Sequence, residues 1–328
     1  MVTAALRLGE RSEAVRDLQR RLAARGFDVR RDEPGAFGAA TDAALRRFQE
    51  ERGLRVDGVC GRETWSALVE AGLALGDRML YLRRPMLRGD DVRALQRRLN
   101  GLGFDAGRED GIFGDETAVA VVEFQRNAGL AVDGISGDAT VEALSRLGTL
   151  ADGSVAAVRE REALRRGPRT LRERRIFVAV TPGLDALGAS VTHELSARGA
   201  DALLDAGGAD DSALAAEANR FGAQLCLAVR SGTERGVQLT YFGNAGFRSE
   251  TGHRLAGTIQ EEISSTVGRV TCAARAYALL RETRMPAVLC ELDPTPGGLA
   301  PVVAQAGRLG AAIAEGVRRG VEEPLPEA

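Results

Sequence analysis

Apolar residues in the first half of the chain recur with a helical period, and the pattern is written twice. Val15, Leu18 and Leu22 stand three and four residues apart with Gln19 beside them, and Val92, Leu95, Gln96 and Leu99 repeat the spacing. Such spacing puts each set on one helical face. GFD follows each set, at Gly26 and Gly103; FGAAT from Phe37 and FGDET from Phe113 then open a second helix carrying Phe48-Gln49 or Phe124-Gln125. That helix ends in GL-x-VDG, Gly53 to Gly58 and Gly129 to Gly134, and G-x-x-T from Gly61 or Gly137 begins a third. The Asp-Gly pair is a turn with a mechanism, since glycine accepts positive φ and aspartate bonds its own downstream backbone. The copies are offset by 77 residues before the first loop and 76 after it, so the difference falls in a loop. The prediction is two three-helix units, 1–76 and 77–150, with the phenylalanines in their cores.

Past residue 175 the pattern changes to short apolar runs: IFVAV, QLCLAV at 224–229, VQLTYF and AVLCEL at 287–292. Helical segments alternate with them, one through His193 to Arg198 and another from about Glu250 to Ser265. This predicts a mixed or parallel sheet covered by helices, spanning 176–322 with a tail at 323–328. Ligands of such sheets gather at the carboxyl ends of strands. Between the two regions lies an Arg-rich linker, 151–175, with eight Arg and three Glu from Arg159 onward. Glu162 and Arg166 suit a solvated helix that Gly167-Pro168 ends. A solvated connector and a docking site for an anionic partner both fit it.

Composition narrows the classes. With 44 basic residues, all of them Arg, against 46 acidic, the chain has no overall basic field to hold nucleic acid or an anionic membrane. The first twelve residues lack the apolar core of a signal peptide, and no run is long enough to span a membrane. If Met1 is the true start, a cytoplasmic location is expected. Cys60, Cys226, Cys272 and Cys290 show no paired metal spacing and are expected as buried thiols.

The duplicated pattern resembles the peptidoglycan-binding domain 1 family almost end to end in both copies. Nearly every matching residue is a helix-face apolar, a turn glycine or a cap, so the match speaks to fold. The resemblance implies a shallow groove near the Asp-Gly turn for glycan or stem peptide, which makes Asp57 and Asp133 candidates. Trp65 and Tyr81 could stack on sugar, although a lone Trp on an amphipathic helix equally serves the core.

The region from about Arg175 to Gly320 resembles the amidase 3 family, zinc enzymes that cleave the bond between N-acetylmuramic acid and L-alanine. Ala218-Asn219 followed by QLCLAV, then GVQLTYF, then LRETRMPAVLCEL carry the resemblance. Together with the repeats, it implies a multidomain chain: two all-α three-helix repeats followed by an α/β zinc-amidase-like domain. Such an amidase needs two His and one Glu on Zn²⁺, an open position for a water whose pKa falls to about 7, and a further Glu for the protons. Glu291 stands where the family keeps that catalytic carboxylate. The turn that supplies the first ligand reads TPGLDA here, with Leu184 at the ligand position. Asp185 is the only carboxylate between Arg175 and His193, where the second ligand is sought, and Arg230 takes the place of the third.

The expectation is therefore no metal, no cofactor and a vestigial Glu291, in a pseudoenzyme. His193 and His253, the only histidines, lie on separate helices and are not expected to rebuild a site. Arg230 either pairs with Glu291, replacing the ion's charge without its Lewis acidity, or points to solvent. The architecture is similar to actinobacterial cytoplasmic amidase homologues. That resemblance implies a regulator of cell-wall precursor synthesis that binds peptidoglycan or muropeptide fragments. It also implies contact with the UDP-N-acetylglucosamine enolpyruvyl transferase, under a serine/threonine kinase. The tail VEEPLPEA offers that kinase no Ser or Thr. The competing expectation is an active N-acetylmuramoyl-L-alanine amidase.

Overall fold

The computed structural model describes residues 5–147, 170–232, 235–244, 247–293, 300 and 302–323. The described residues up to 147 and those from 170 onward form the bodies of two compact units. The linker helix expected around Glu162 and Arg166, and the tail from 324, lie outside the described residues.

The first unit contains both repeats. Repeat 1 comprises α1 (Glu13–Ala23), α2 (Ala39–Glu51) and α3 (Arg62–Glu70); repeat 2 comprises α4 (Asp90–Gly101), α5 (Asp115–Ala128) and α6 (Asp138–Arg146). The helical face read from the sequence is the buried one: Val15, Leu18 and Leu22 meet Phe37, Leu45 and Phe48 in the first core. Val92, Leu95 and Leu99 meet Phe113, Val121 and Phe124 in the second. The segment preceding each first helix bridges to the turn before each third one, Leu6 with Cys60 and Leu80 with Ser136.

A buried glutamine ties each helix to the next. The Gln125 amide donates to Asp133 Oδ1 at 2.8 Å, to the Ile135 carbonyl at 3.0 Å and to Thr140 Oγ1 at 3.1 Å, while its Oε1 accepts from Gly134 N at 2.9 Å. Gln49 does the same with Asp57, Val59, Thr64 and Gly58. Gln96 follows with Asp110, Ile112, Thr117 and Gly111. Gln19 completes the set with Thr41, Ala36 and Gly35, and takes the Glu33 carbonyl because Pro34 stands where an aspartate would be. A primary amide has two donor hydrogens and an acceptor, so one side chain fastens a turn and the head of the following helix without leaving a polar atom unmatched.

The second unit is a six-stranded mixed sheet in the order β2-β1-β3-β6-β4-β5. Its strands are β1 (Arg175–Val180), β2 (Asp201–Asp205), β3 (Leu225–Ser231), β4 (Val237–Phe242), β5 (Val270–Arg275) and β6 (Ala287–Leu292). Only the β4/β6 pairing is antiparallel. The helices are α7 (Asp185–Ala197), α8 (Asp211–Phe221), α9 (Glu250–Val267), α10 (Ala278–Glu282) and α11 (Ala306–Glu322). Alternation along the strands divides the faces. Val178, Val180, Leu227, Val229, Val288 and Cys290 join the large core formed with α7, α9 and α11. On α11, Gly316 lets its helix approach α9 closely: a Cβ there would lie 2.6 Å from the Ile259 Cα.

One boundary differs from the sequence reading. Leu171 is fully buried in the core of this unit and Arg174 is buried as well, so the fold reaches back into the stretch read as linker. The edge strands β2 and β5 and the helices α8, α10 and α11 were not predicted. Of the thiols, Cys60, Cys226 and Cys290 are buried, and burial pushes each up to about 12. Cys272 is only half-buried, with Sγ 3.2 Å from Gln260 Oε1.

Candidate functional site

The carboxyl ends of β3 and β6 bring together the residues that matter most. Arg230 and Glu291 are register partners on these parallel strands, so their side chains rise from the same face, the one opposite the large core. Arg230 Nε donates to Glu291 Oε1 at 3.2 Å, and Nη1 donates to both carboxylate oxygens of Asp211, at 3.0 and 3.2 Å. Asp211 is the first residue of α8, whose N-cap, Asp210, accepts from Ala213 N. A carboxylate suits that place because the helix dipole favours negative charge there. The Tyr277 ring, just ahead of α10, lies 5.3 Å from the guanidinium carbon. Glu291 is buried.

Burial alone works against the charge on Arg230; the two carboxylates outweigh it, Asp211 first, and hold its pKa above the ordinary value. One guanidinium thus joins two strand ends, the head of a helix and an aromatic ring. Of the two orientations open to Arg230, the structure has the paired one, and it adds Asp211, a partner that the sequence reading missed.

The donor set of a zinc amidase does not fit these residues. Leu184 is buried in the large core at the head of α7. Asp185 is exposed, and its Oδ2 accepts from Gly183 N. His193 is exposed on α7; His253 lies on α9, its ring 5.2 Å from that of Tyr241 and its pKa lowered by burial and by Arg248. Among the described residues no three His, Cys, Asp or Glu side chains cluster so as to hold a metal ion. Arg230 carries a permanent positive charge, and a guanidinium offers a cation no lone pair.

A second candidate lies in repeat 2. A groove of about 640 Å³ runs beside the Asp133-Gly134 turn, lined by Tyr81 and Leu82 and by Val119 and Val122 of α5. Asp133 lines it. Its Oδ1 is taken by the turn, and the amides of Ile135 and Gln125 hold its carboxyl below the ordinary aspartate range. Asp57 makes the equivalent bonds in repeat 1. Trp65 is half-buried against the core of repeat 1, with the Arg21 guanidinium carbon 5.5 Å from its ring, and Val141 is its counterpart in repeat 2. Its place is that of a core residue.

Duplicated three-helix units and an α/β sheet with a strand-end carboxylate define a class: peptidoglycan-binding repeats joined to an amidase-type domain. The PG_binding_1 family, a peptidoglycan binding domain, matches residues 11–68 and 88–144. The chain is 36% identical over 330 residues to N-acetylmuramoyl-L-alanine amidase CwlM of Mycobacterium tuberculosis, covering 88% of this chain and 81% of that protein. It belongs to the family of that protein. It is also 32% identical over 163 residues to N-acetylmuramoyl-L-alanine amidase CwlL of Bacillus licheniformis, covering 43% of this chain and 45% of that one. Among solved structures, N-acetylmuramoyl-L-alanine amidase AmiC2 of Nostoc punctiforme aligns with 43% of this chain and 94% of its own, at 21% identity and a TM-score of 0.36. Among the described residues no helix is long and apolar enough to cross a membrane.

Proposed function

We propose that this chain is a peptidoglycan-related binding and regulatory protein whose amidase-like domain does not hydrolyse. The observation that carries this reading is the Arg230 guanidinium, bonded at once to Glu291 and Asp211. A zinc amidase makes hydroxide near neutral pH by coordinating water to an ion. Leucine and arginine at ligand positions remove that route, and an ion-paired Glu291 has no activated water to deprotonate. The cluster instead fastens β3, β6 and α8 by charge, keeping the fold where the chemistry is lost. The resemblance to cytoplasmic amidase homologues supports a role inside the cell, on precursor synthesis. The partner class it suggests is the enolpyruvyl transferase acting on UDP-N-acetylglucosamine.

The name of the mycobacterial relative points to hydrolysis, and one experiment separates the two. Purified full chain, incubated with zinc and dialysed, is assayed for bound metal and for stem peptides released from cell-wall sacculi. The expected result is no stoichiometric zinc and no released peptide, unchanged by Glu291→Gln. One zinc per chain together with released peptide that Glu291→Gln abolishes would overturn the proposal.

A further inference from the structure

The two repeats share a scaffold and differ where the groove lies. Counting back by 76 residues, Ala118 and Val122 of repeat 2 correspond to Asp42 and Arg46 of repeat 1. Arg46 Nε donates to Asp42 Oδ2 at 2.8 Å, and its other nitrogens donate to the carbonyls of Val56 at 3.2 Å and Asp57 at 3.0 Å. The guanidinium therefore lies across the Asp-Gly turn. A Cβ built on Gly58 would meet Asp42 Oδ1 at 2.3 Å and Arg46 Nη2 at 2.5 Å, whereas one on Gly134 would meet only Val122 Cγ2, at 3.4 Å.

In repeat 2 the matching carbonyls, of Val132 and Asp133, receive no hydrogen bond from the described residues, and Val122 leaves the turn open to the groove. Arg46 thus displays, inside the same chain, what this turn accepts: a cation with N–H donors laid against two carbonyls. The groove wall continues that chemistry with Glu123 and Asp133 as anions and Arg126 as its cation, and apolar side chains lie between them. In repeat 1 the residues aligned with Glu123 and Arg126 are Arg47 and Glu50, with the signs reversed.

We propose that repeat 2 alone is the muropeptide-binding unit, that it takes the amine-bearing part of a peptidoglycan stem peptide, and that Arg46 is a built-in occupant keeping repeat 1 closed. The inference rests on the peptidoglycan-binding reading given above and commits to peptide over glycan. A primary ammonium meets the two open carbonyls and the nearby carboxylates, a peptide carboxylate meets Arg126, and small alanyl side chains suit the apolar walls between.

The test is calorimetric titration of the full chain with N-acetylmuramyl tripeptide ending in meso-diaminopimelate, and with the same compound acetylated on its side-chain amine. One equivalent should bind, acetylation should weaken it at least tenfold, and A118D/V122R, which copies the latch of repeat 1, should lose binding to a similar degree. D42A/R46V should raise the stoichiometry from one to two, a gain that misfolding cannot imitate. Two equivalents on the unaltered chain, equal binding of the acetylated probe, or a D42A/R46V form that still binds one would overturn this inference and leave the peptidoglycan reading standing. No binding to any form would remove both.

Discussion

In the helical repeats, four glutamines have been taken out of water; in the α/β domain, Glu291 has been, together with much of Arg230 and Asp211. Each group is matched by partners, yet the terms differ. Gln125 is neutral, and its bonds to Asp133, Ile135, Thr140 and Gly134 replace bonds to water at a net gain of about 1 kcal/mol each. Arg230 is charged, and its attraction to Glu291 and Asp211 chiefly repays what desolvation costs. The neutral clamp stabilises a small helical unit outright. The charged one contributes little net energy and makes its partners dependent on it, so the two should respond differently when one side is removed.

The largest effect is expected at Arg230. Arg230→Met leaves the carboxylate of Glu291, with a side chain only 7% exposed, without its cation, and breaking a buried pair on one side costs about 3–5 kcal/mol. Urea unfolding of the second unit should show this loss. Removing the carboxylates too, as R230M/E291L/D211N, should return stability to within about 1–2 kcal/mol of the original, because the desolvation cost leaves with the charges. A triple variant as unstable as Arg230→Met would mean that the cluster is a net stabiliser like the glutamines, and the contrast would vanish.

Next in size is Gln96→Ala in repeat 2. It strands the buried Gly111 N–H, takes from Thr117 the donor to its hydroxyl oxygen, and opens a void beside α4, for an expected loss of about 2–4 kcal/mol in thermal or urea unfolding of the first unit. Gln19→Ala should cost less than Gln96→Ala, since Gln19 has no aspartate to bind and its side chain reaches a carbonyl closer to solvent. Equal losses would show that the aspartate adds nothing to the clamp.

Much of this was legible in the chain. The helical faces follow from the three-and-four spacing of Val15, Leu18 and Leu22, and β1, β3 and β6 from continuous apolar runs buried on both faces of the sheet. The Arg230–Glu291 pairing was one of two stated possibilities, because the family resemblance assigned both residues to one site. Asp211 was invisible: it is the first residue of a helix with little apolar periodicity, and only the folded sheet brings that helix to Arg230. The β2 strand DALLD and the β5 strand VTCAAR escaped because edge strands are half-exposed and carry no long apolar signature. The glutamine clamps were written in the sequence and overlooked. Gln49 and Gln125, each eight residues before Asp-Gly and fifteen before a Thr, signal a polar core group that a search for apolar periodicity passes by.

The smallest expected effect concerns how the neutral clamp borrows charge. The Asp133 carboxyl is held below the ordinary aspartate range, first by the Ile135 N–H and then by the Gln125 amide. A carboxyl depressed in the folded state contributes its stability fully above its unfolded value, about 3.9, and loses it as pH falls through the lower folded value. Thermal midpoints of the first unit from pH 6 down to about 2 should therefore fall less steeply for Asp133→Asn than for the unaltered chain. The amide oxygen of Asn can still accept from Ile135 N and Gln125, so the fold of the turn persists while its titration disappears. The gap between the two curves should be constant above about pH 4.5 and narrow below it. Parallel curves throughout would mean that Asp133 acts only as an acceptor, and that the clamp of repeat 2 is as neutral as its glutamine.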